Sequence, residues 1–456
     1  MASFQRFKES LKGYVATEGD AEYDIKRWAK NAERKAKYVV FPTDAEDVSK
    51  AILFAKAHNL ELAIRGGGHS SAGASSTDGG LVIDLAKHMN GVRVDAEKRL
   101  AYVQGGALWA AVDEAAIKHG LATVGGTVNH TGVGGLTVGG GYGWLSGEHG
   151  LAIDNLVSAT VVVASGEILS VSDSENQDLF WAIRGGGSNF GPVTEFVFRL
   201  HEQRSEVYVA ELVFLVDVLP KLLDELEDWS KTQPINQAAH ILFVTSPDGV
   251  TPCIVLVGMF NGSTEDGKKA FERFVTLGPV HDQSRTIPYA ELNGLQNKMT
   301  PHGHNAWVRS TCVPEFDKEY LLRVHAAWKK MVSDYPNAAG SVCIMEMYHP
   351  EKIISVPDDA TAFSGRHGIR NLFLAMHWKD SVEDLAPKID QISKEALAVI
   401  TDTSKPFYGN YCEAESDRGS TQSMKLFGAN YGRLAVIKRI YDPENVFHKW
   451  FAITPA

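Results

Sequence analysis

The sequence predicts an α+β protein with two regions of different texture. Through residue 205, short strand-like runs alternate with two amphipathic helices. From residue 206 to about 400, long amphipathic helices separate several further strand-like runs. A chain of 456 residues is also too long for one ordinary hydrophobic core. We therefore expect one domain over residues 1–205 and a second over 206–400.

The first helix is predicted directly after Pro42. Thr43 and Glu46 have the spacing of a capping box, with Thr43 as N-cap. The apolar positions that follow recur at helical spacing: Val48, Ala51, Ile52 and Ala55. This spacing predicts a helix with one buried face.

The second helix is predicted from about Leu108 to His119, with Gly120 as its stop. Its expected buried face comprises Leu108, Ala111, Val112 and Ala115. Strands are predicted around these helices at 62–64, 81–85, 100–104, 158–164, 168–171 and 193–200. Ser165 and Gly166 indicate a hairpin turn between two of them.

The second region alternates helices with strands of high apolar content. Helices are predicted at 219–230, 265–276 and 318–333. Strands are predicted at 240–244, 253–260, 306–311, 341–348 and 372–378. This pattern is typical of an antiparallel sheet covered by helices.

Composition excludes several classes of partner. The net charge is −11 and no basic run offsets it, which argues against nucleic acid or an anionic membrane. No apolar run has the length of a membrane span. No secretory signal is visible, so we expect an intracellular, cytoplasmic protein, with a secreted mature form as the alternative. The four cysteines lack zinc spacing, and we expect buried free thiols.

Three consecutive glycines, Gly66 to Gly68, precede His69. A turn without Cβ atoms allows backbone amides to surround an anion such as a pyrophosphate. A histidine fixed beside a bound dinucleotide is well placed to be a nucleophile, and the 8α-methyl carbon of a flavin is its natural electrophile. The alternative is a glycine-rich turn with an incidental surface histidine.

Several ordered motifs accompany this loop. They lie at residues 38–42, 78–85, 132–141, 150–156, 178–187, 408–411 and 441–443. Together they resemble the FAD-linked oxidases of the vanillyl-alcohol oxidase superfamily, in the berberine bridge enzyme-like branch. The resemblance covers most of residues 1–205 and 400–456, and the middle of the chain matches weakly.

The resemblance implies a two-subdomain, PCMH-type FAD-binding domain over residues 1–205. It implies a substrate domain over 206–400 and a C-terminal berberine bridge enzyme-like segment, 401–456, that returns to the FAD domain. It further implies that His69 is linked to the flavin 8α carbon. Many relatives add a cysteine link, but Val128 stands at the matching position. We therefore predict covalent FAD with one histidyl link and no cysteinyl link.

The resemblance also implies a set of residues around the cofactor. The predicted cofactor-binding residues are Arg65, Gly66, Gly67, Gly68, His69, Ser70, Gly126, Thr127, Thr131, Gly132, Gly134, Gly135, Gly140, Gly141, Ile153, Leu156, Asn410 and Tyr411. For the glycines the alternative is a set of tight turns. For Ile153 and Leu156 it is a place in the core, and for Tyr411 a half-buried aromatic ring.

The acid–base residues are less clearly marked. Tyr408 matches a family tyrosine near the flavin and would act as a phenolate if a neighbouring cation lowered its pKa. The family often places Glu or Gln on a late strand, but residues 372–378 carry no acid and Phe373 holds that position. His377 and Tyr348 are predicted as catalytic substitutes. His349 and Glu346 are further candidates.

Other histidines receive weaker assignments. His130 is interpreted as a solvated group, or as a group that contacts cofactor-binding residues, rather than as a catalytic residue. His302 and His304 lack a third ligand, so we predict a mobile polar loop and no metal site.

The expected function is flavin-dependent oxidation of a small organic alcohol or amine, such as a secondary metabolite. Hydride would pass to flavin N5, and dioxygen is the expected acceptor. The expected partners are therefore a small-molecule substrate and dioxygen. The alternatives are a carbohydrate oxidase of the same family, an FAD-binding protein without redox turnover, and a nicotinamide-dependent dehydrogenase.

Overall fold

The computed structural model describes residues 2–247, 249–313, 315–367, 370–379, 385–400, 407–412 and 420–456. Strands form a four-stranded, a five-stranded, a two-stranded and an eight-stranded sheet. The α-helices are Ala2–Ser10, Ala45–Ala57, Trp109–Ile117, Val133–Val138, Ser146–His149, Gln177–Ile183, Leu219–Thr232, Thr264–Val275, Tyr289–Leu292, Lys318–Asp334, Glu351–Ile354, Ala386–Ile400, Ser420–Phe427 and Tyr431–Tyr441.

The four-stranded sheet carries the glycine loop. Its strands, in spatial order, are Tyr14–Ala16, Tyr38–Phe41, Leu81–Asp84 and Leu62–Arg65. The last three run parallel, and the Ala45–Ala57 helix packs its buried face on them. The loop at 66–72 therefore leaves the carboxyl end of a parallel edge strand, where ligand sites commonly form.

The five-stranded sheet is antiparallel and forms the second layer of the first region. Its strands, in order, are Val92–Asp95, Leu100–Gln104, Val193–Arg199, Leu156–Val162 and Ile168–Ser172. The predicted hairpin at Ser165 and Gly166 is confirmed, and Gly166 has a φ of +86°. A short pair, Leu121–Ala122 and His201–Glu202, lies beside it.

The eight-stranded sheet dominates the second region and is antiparallel throughout. Its strands, in order, are His281–Asp282, Glu206–Leu215, Pro252–Phe260, Gln237–Thr245, Val342–Tyr348, Asn371–Trp378 and Asn305–Cys312, with Arg285–Pro288 pairing on Glu206–Leu215. Helices cover one face, where Cys343, Met345 and Leu374 belong to a large apolar cluster. Val342, Ile344 and Phe373 alternate onto the other face, which closes over the first region.

The predicted elements of both regions are confirmed, with shifts of a few residues at their ends. Two details were wrong. The first helix is capped by Asp44, not Thr43, because the Asp44 side chain accepts from the Asp47 N–H. The second helix buries Trp109, Val112, Asp113 and Ala116, so its inner face lies one residue later than predicted.

The C-terminal helix Tyr431–Tyr441 packs on the first region rather than on the large sheet. Lys438 is fully buried and donates to Asp442 and to the carbonyls of Asn189 and Phe447, each at 2.6 Å. A buried ammonium requires such complete pairing, so this group fixes the terminal segment against the glycine turn at 185–191. The domain boundaries at 205 and 400 stay a prediction from the sequence.

Candidate active site

A cavity lies between the glycine loop and the inner face of the eight-stranded sheet. One side is largely backbone, contributed by residues 66–72, 126–135 and 187–193. The other side is made of side chains: Val308, Val342, Ile344, Phe373 and Ala375. Residues 408–412 close the cavity between the two sides.

The backbone side is so closely packed at Gly67 and Gly132 that a side chain is excluded at either position. A Cβ added to Gly67 would lie 2.3 Å from the amide nitrogen of Gly132, and a Cβ on Gly132 would lie 2.3 Å from the nitrogen of Gly67. Gly68 has a φ of +69°, which favours glycine. Gly135, by contrast, has nothing within 4 Å of its Cβ position because it faces the open cavity.

The loop also presents unpaired backbone donors. Within the described part of the chain, none of the N–H groups of residues 67–72 donates to a protein acceptor. A run of unpaired amides beside a cavity is suited to the oxygens of a phosphate chain. These features fit the pyrophosphate of a dinucleotide cofactor such as FAD.

His69 is the side chain at the rim of this loop. Its ring stacks on Trp28, with centroids 4.5 Å apart and planes 10° apart. Its Nε2 lies 3.1 Å from Nδ1 of His130. Although the ring keeps some exposed area toward the cavity, surrounding protein and the nearby rings of His130 and His302 lower its pKa to about 3. His69 is therefore a neutral imidazole with a free lone pair, as a nucleophile requires.

A buried carboxylic acid lies behind the closing segment. Glu346 accepts from the Tyr411 hydroxyl at 2.9 Å and from the Asn371 side-chain amide at 2.9 Å. Burial raises the pKa of Glu346 to about 7, and these hydrogen bonds oppose the shift. Tyr411 lines the cavity, so its hydroxyl connects the cavity to an acid that titrates near neutral pH.

Comparison with known proteins places this geometry in a family. Residues 36–172 match the FAD binding domain family, and residues 417–453 match the berberine and berberine like family. The FAD-linked oxidoreductase pgmH of Aspergillus terreus is 34% identical over 99% of this chain and 96% of its own length. The chain belongs to the FAD-linked oxidoreductases of the berberine bridge enzyme-like branch.

Solved structures agree with this assignment. The 6-hydroxy-D-nicotine oxidase of Arthrobacter nicotinovorans superposes with a TM-score of 0.83 at 25% identity, covering 98% of this chain and 99% of that one. The glucooligosaccharide oxidase of Acremonium strictum superposes with a TM-score of 0.84 at 23% identity, covering 100% and 99%. The second likeness shows the fold alone. The protein is thus an FAD-linked oxidoreductase with an α+β fold of the predicted kind.

Most of the predicted cofactor residues of this FAD-linked oxidoreductase lie together along the cavity. Those that line it are Gly66, Gly67, Gly68, His69, Ser70, Gly126, Thr127, Thr131, Gly132, Gly134, Gly135, Asn410 and Tyr411. Val128, at the position of the relatives' cysteine, also lines it. Cys412 is the cavity-lining cysteine, and Cys253, Cys312 and Cys343 are buried free thiols as predicted.

Five predicted cofactor residues do not line the cavity. Arg65 instead pairs with Asp24 at 2.8 Å and with Asp84 at 2.6 Å. Gly140 and Gly141 pack against side chains, where an added Cβ would lie 2.7 Å from Phe363 and 2.5 Å from Ala152 respectively. Ile153 and Leu156 are core residues. The cofactor roles of these five residues stay predictions.

The structure does not support the Tyr408 phenolate. The Tyr408 oxygen accepts from the Gly141 N–H and from the Asn410 side-chain amide, both at 2.9 Å, so its lone pairs are occupied. Burial raises its pKa further above the ordinary value, and no cation among the described residues offsets this. Tyr408 lines the cavity as a fixed aromatic wall.

The other predicted catalytic residues lie around the cavity rather than on it. The Tyr348 hydroxyl lies 3.0 Å from Nε2 of the buried His240. His377 packs edge-on to Trp28, with ring centroids 6.0 Å apart. His349 lies near the surface, where its ring accepts from the Glu351 N–H. Their catalytic roles stay predictions.

Glu346 was named only as one of several substitutes, although a sequence signal marks it. It shares strand parity with the cavity-lining Val342 and Ile344, and it is the charged residue in the apolar run 342–348. An ionisable residue among the inward-facing positions of a strand indicates a functional site. What sequence alone leaves open is its partner, Tyr411, which is 65 residues away.

The predicted polar loop at residues 302–304 is bound to the segment before the glycine loop. The Gly303 N–H donates to the Trp28 carbonyl, and the His304 carbonyl accepts from the Lys30 N–H. In the described ranges, no cluster of His, Cys, Asp or Glu is arranged for a metal ion. Likewise, no described helix has the length and apolar character to cross a membrane.

Proposed function

We propose that this FAD-linked oxidoreductase is an oxidase that carries FAD through a single bond to His69. It oxidises a small, uncharged and largely apolar alcohol or amine, and dioxygen is the electron acceptor. The observation that carries this proposal is that two chemically different sides of the cavity face each other. A backbone cradle with a neutral histidine faces a largely apolar wall, and the Tyr411 hydroxyl connects the cavity to the Glu346 carboxyl group.

The residues that would hold the cofactor are those of the backbone side. The amides of residues 67–72 would bind the pyrophosphate, and Gly132, Gly134 and Gly135 would allow the ring system to approach. His69 would supply the covalent link. The glucooligosaccharide oxidase that shares the fold is described as an 8α-N1-histidyl, 6-S-cysteinyl FAD enzyme. Val128 removes the sulfur for the second bond at the position matched in sequence.

When bound, FAD supplies a hydride acceptor at N5 of its ring. The protein must then remove the proton from the substrate hydroxyl or amine. The Tyr411 oxygen has unpaired acceptor capacity within the described residues, and its own hydrogen points to Glu346. Tyr411 accepts the substrate proton as it donates its own to Glu346, so no free phenolate is required. Asn371 holds the other Glu346 oxygen in place.

The lining explains the preference for an uncharged substrate. Among the described residues, no Asp, Glu, Lys or Arg side chain lines the cavity. A substrate carboxylate or ammonium group would lose its hydration without gaining a partner, so an amine substrate would bind as the neutral free base. An oligosaccharide would likewise leave most of its hydroxyls unpaired against Val308, Val342, Ile344, Phe373 and Ala375.

Acid precipitation tests the covalent link. Yellow flavin should remain in the pellet of wild-type protein, and a tryptic peptide containing His69 should carry the mass of FAD. His69→Ala should release all of its flavin into the supernatant. Free flavin from the wild-type protein would overturn the link while leaving non-covalent FAD.

A substrate screen tests the reaction. Apolar alcohols and amines should release peroxide faster than oligosaccharides and should bleach the flavin band when oxygen is removed. Faster turnover of oligosaccharides would favour the carbohydrate oxidase alternative. Absence of bleaching with every compound would favour a binding protein without redox turnover.

A further inference from the structure

His130 is the polar neighbour of His69, and the segment that carries it is held from two sides. The amides of Trp109 and Ala110, at the start of a helix, donate to the carbonyls of Thr131 and Asn129. On the other side, the Asn297 side chain donates to Oδ1 of Asn129 at 2.7 Å. His130 is therefore held in place while its Nδ1 lies 3.1 Å from Nε2 of His69.

The hydrogen bonds beyond His130 favour one tautomer of each ring. The Thr300 hydroxyl donates to the carbonyl of Gln296 at 3.2 Å, so its oxygen accepts from Nε2–H of His130 at 3.4 Å. A neutral His130 with hydrogen on Nε2 has a lone pair on Nδ1. In this tautomer the His130 lone pair accepts from Nε2–H of His69. The remaining nitrogen of His69, Nδ1, is then the unprotonated one.

Thr300 fixes the ring of His69 through two neighbours at once. Its carbonyl accepts from the Trp28 indole N–H at 2.8 Å, and Trp28 stacks on one face of the His69 ring. Its hydroxyl orients His130, which is bonded to the edge of the same ring. Both orienting groups thus depend on one residue of the second region. Burial keeps the pKa of His130 low, at about 4, so that its acceptor lone pair is available at neutral pH.

We infer that His130, oriented by Thr300, selects Nδ1 of His69 as the nitrogen that bonds the flavin and accepts the proton that His69 loses. This inference rests on the proposed covalent link. In the step, the bond from Nδ1 to the 8α carbon forms, one C–H bond at that carbon breaks, and Nε2–H of His69 passes its proton to His130. The electron pair of the C–H bond reduces the flavin ring. Dioxygen then takes that pair and the two released protons as hydrogen peroxide.

The test measures the rate of covalent attachment rather than turnover. Full-length protein produced under riboflavin limitation is mixed with FAD in air, and bound flavin is followed by in-gel fluorescence and intact mass. Quenching of FAD fluorescence at early times measures non-covalent affinity separately. The variants are His130→Ala, His130→Gln and Thr300→Val. His302→Gln is the matched control, because its ring centroid lies 4.6 Å from that of His130 but, among the described residues, it makes no hydrogen bond to His69 or His130.

His130→Ala should attach FAD about a hundredfold more slowly with unchanged non-covalent affinity, which is the ordinary contribution of a positioned base. The glutamine of His130→Gln accepts the hydrogen bond but cannot take the proton. The rate of FAD attachment in this variant should therefore fall about tenfold, between the rates of wild type and His130→Ala. Thr300→Val should also be slow, and His302→Gln should match wild type. If His130→Ala does not fold, the Gln and Val variants decide the question.

A wild-type rate in His130→Ala, or in both His130→Gln and Thr300→Val, would overturn the inference while leaving the covalent link intact. An equal loss of affinity and rate would show a purely structural role and would also overturn it. Complete release of flavin from acid-treated wild-type protein would overturn the link itself and the inference with it. A structure of the loaded protein with the bond at Nε2 would contradict the selected nitrogen.

Discussion

The two sides of the cavity are built by different physical means. One side, which we propose binds the cofactor and call the cofactor side, is mostly backbone, and an added Cβ at Gly67 or Gly132 would overlap the opposing loop at 2.3 Å. The opposite side, which we propose faces the substrate, is an array of strand side chains, where Val342 and Ile344 alternate with Cys343 and Met345 behind them. The first side tolerates almost no change, whereas the second accepts substitution at modest cost.

The largest expected effect is on the cofactor side. Gly67→Ala should abolish FAD binding and lower the free energy of unfolding by about 3 kcal/mol, because the new methyl group overlaps backbone that cannot move independently. Flavin content and thermal unfolding measure both effects.

Gly135→Ala is the matched control for fold, since its Cβ meets nothing within 4 Å. It lies in the Val133–Val138 helix and should keep or slightly raise stability, by up to about 1 kcal/mol. Its methyl group would still enter the cavity and weaken flavin binding. A stable, fully flavin-loaded Gly67→Ala protein would contradict the rigid-backbone account.

The next largest effect concerns the proton acceptor on the opposite side. Glu346→Gln should lower kcat by about 10² to 10³, because the amide cannot accept the proton from Tyr411. Asp113→Asn is a matched control, since Asp113 is also buried with a pKa of about 7 but bonds Asn293 away from the cavity. Equal losses in both variants would indicate a general folding effect. Stopped-flow reduction of the flavin isolates the step.

The same carboxyl group should make both activity and stability depend on pH. Activity should fall as pH drops below about 7, where Glu346 becomes protonated and can no longer accept a proton. The free energy of unfolding should instead be higher at low pH, because the raised pKa means that the folded state favours the protonated Glu346 side chain. The stabilisation from this protonation is complete below pH 4.5, the ordinary pKa of a glutamate side chain, and is lost as pH rises through about 7.

The free energy of unfolding of Glu346→Gln, measured relative to that of wild type, should therefore rise by about 2 kcal/mol from pH 5 to pH 8. Denaturant unfolding of both proteins at the two pH values measures the difference. A pH-independent difference between them would show that Glu346 does not titrate in this range.

The smallest expected effect is on the aliphatic wall. Ile344→Val removes one methylene facing the cavity and should lower kcat/KM for an apolar substrate about tenfold. Met345→Leu changes the neighbouring residue on the helix-covered face and should leave kcat/KM unchanged. An equal effect of the two changes would mean that strand parity does not separate substrate contacts from core.

Sequence patterns predicted the fold because its elements are locally encoded. Helical spacing after Pro42 and the Ser165–Gly166 turn each report on a few neighbouring residues. Local spacing also explains the error at the second helix. It predicts a helix but does not determine which face packs inward, and the structure buries Trp109 and Ala116. The ion pairs of Arg65 with Asp24 and Asp84 could not be predicted either, because the folded structure alone brings these partners together.

What the sequence determined by itself is the glycine loop with His69 and the position of Val128, because a backbone without Cβ atoms can be read directly from residue identity. What only the tertiary structure decided are the pairings across the chain. His69 meets His130, His130 meets Thr300, and Tyr411 meets Glu346, across separations of 61, 170 and 65 residues in sequence. Proton positions and buried pKa values depend on such pairings and on burial, which arise only when distant strands and loops pack together.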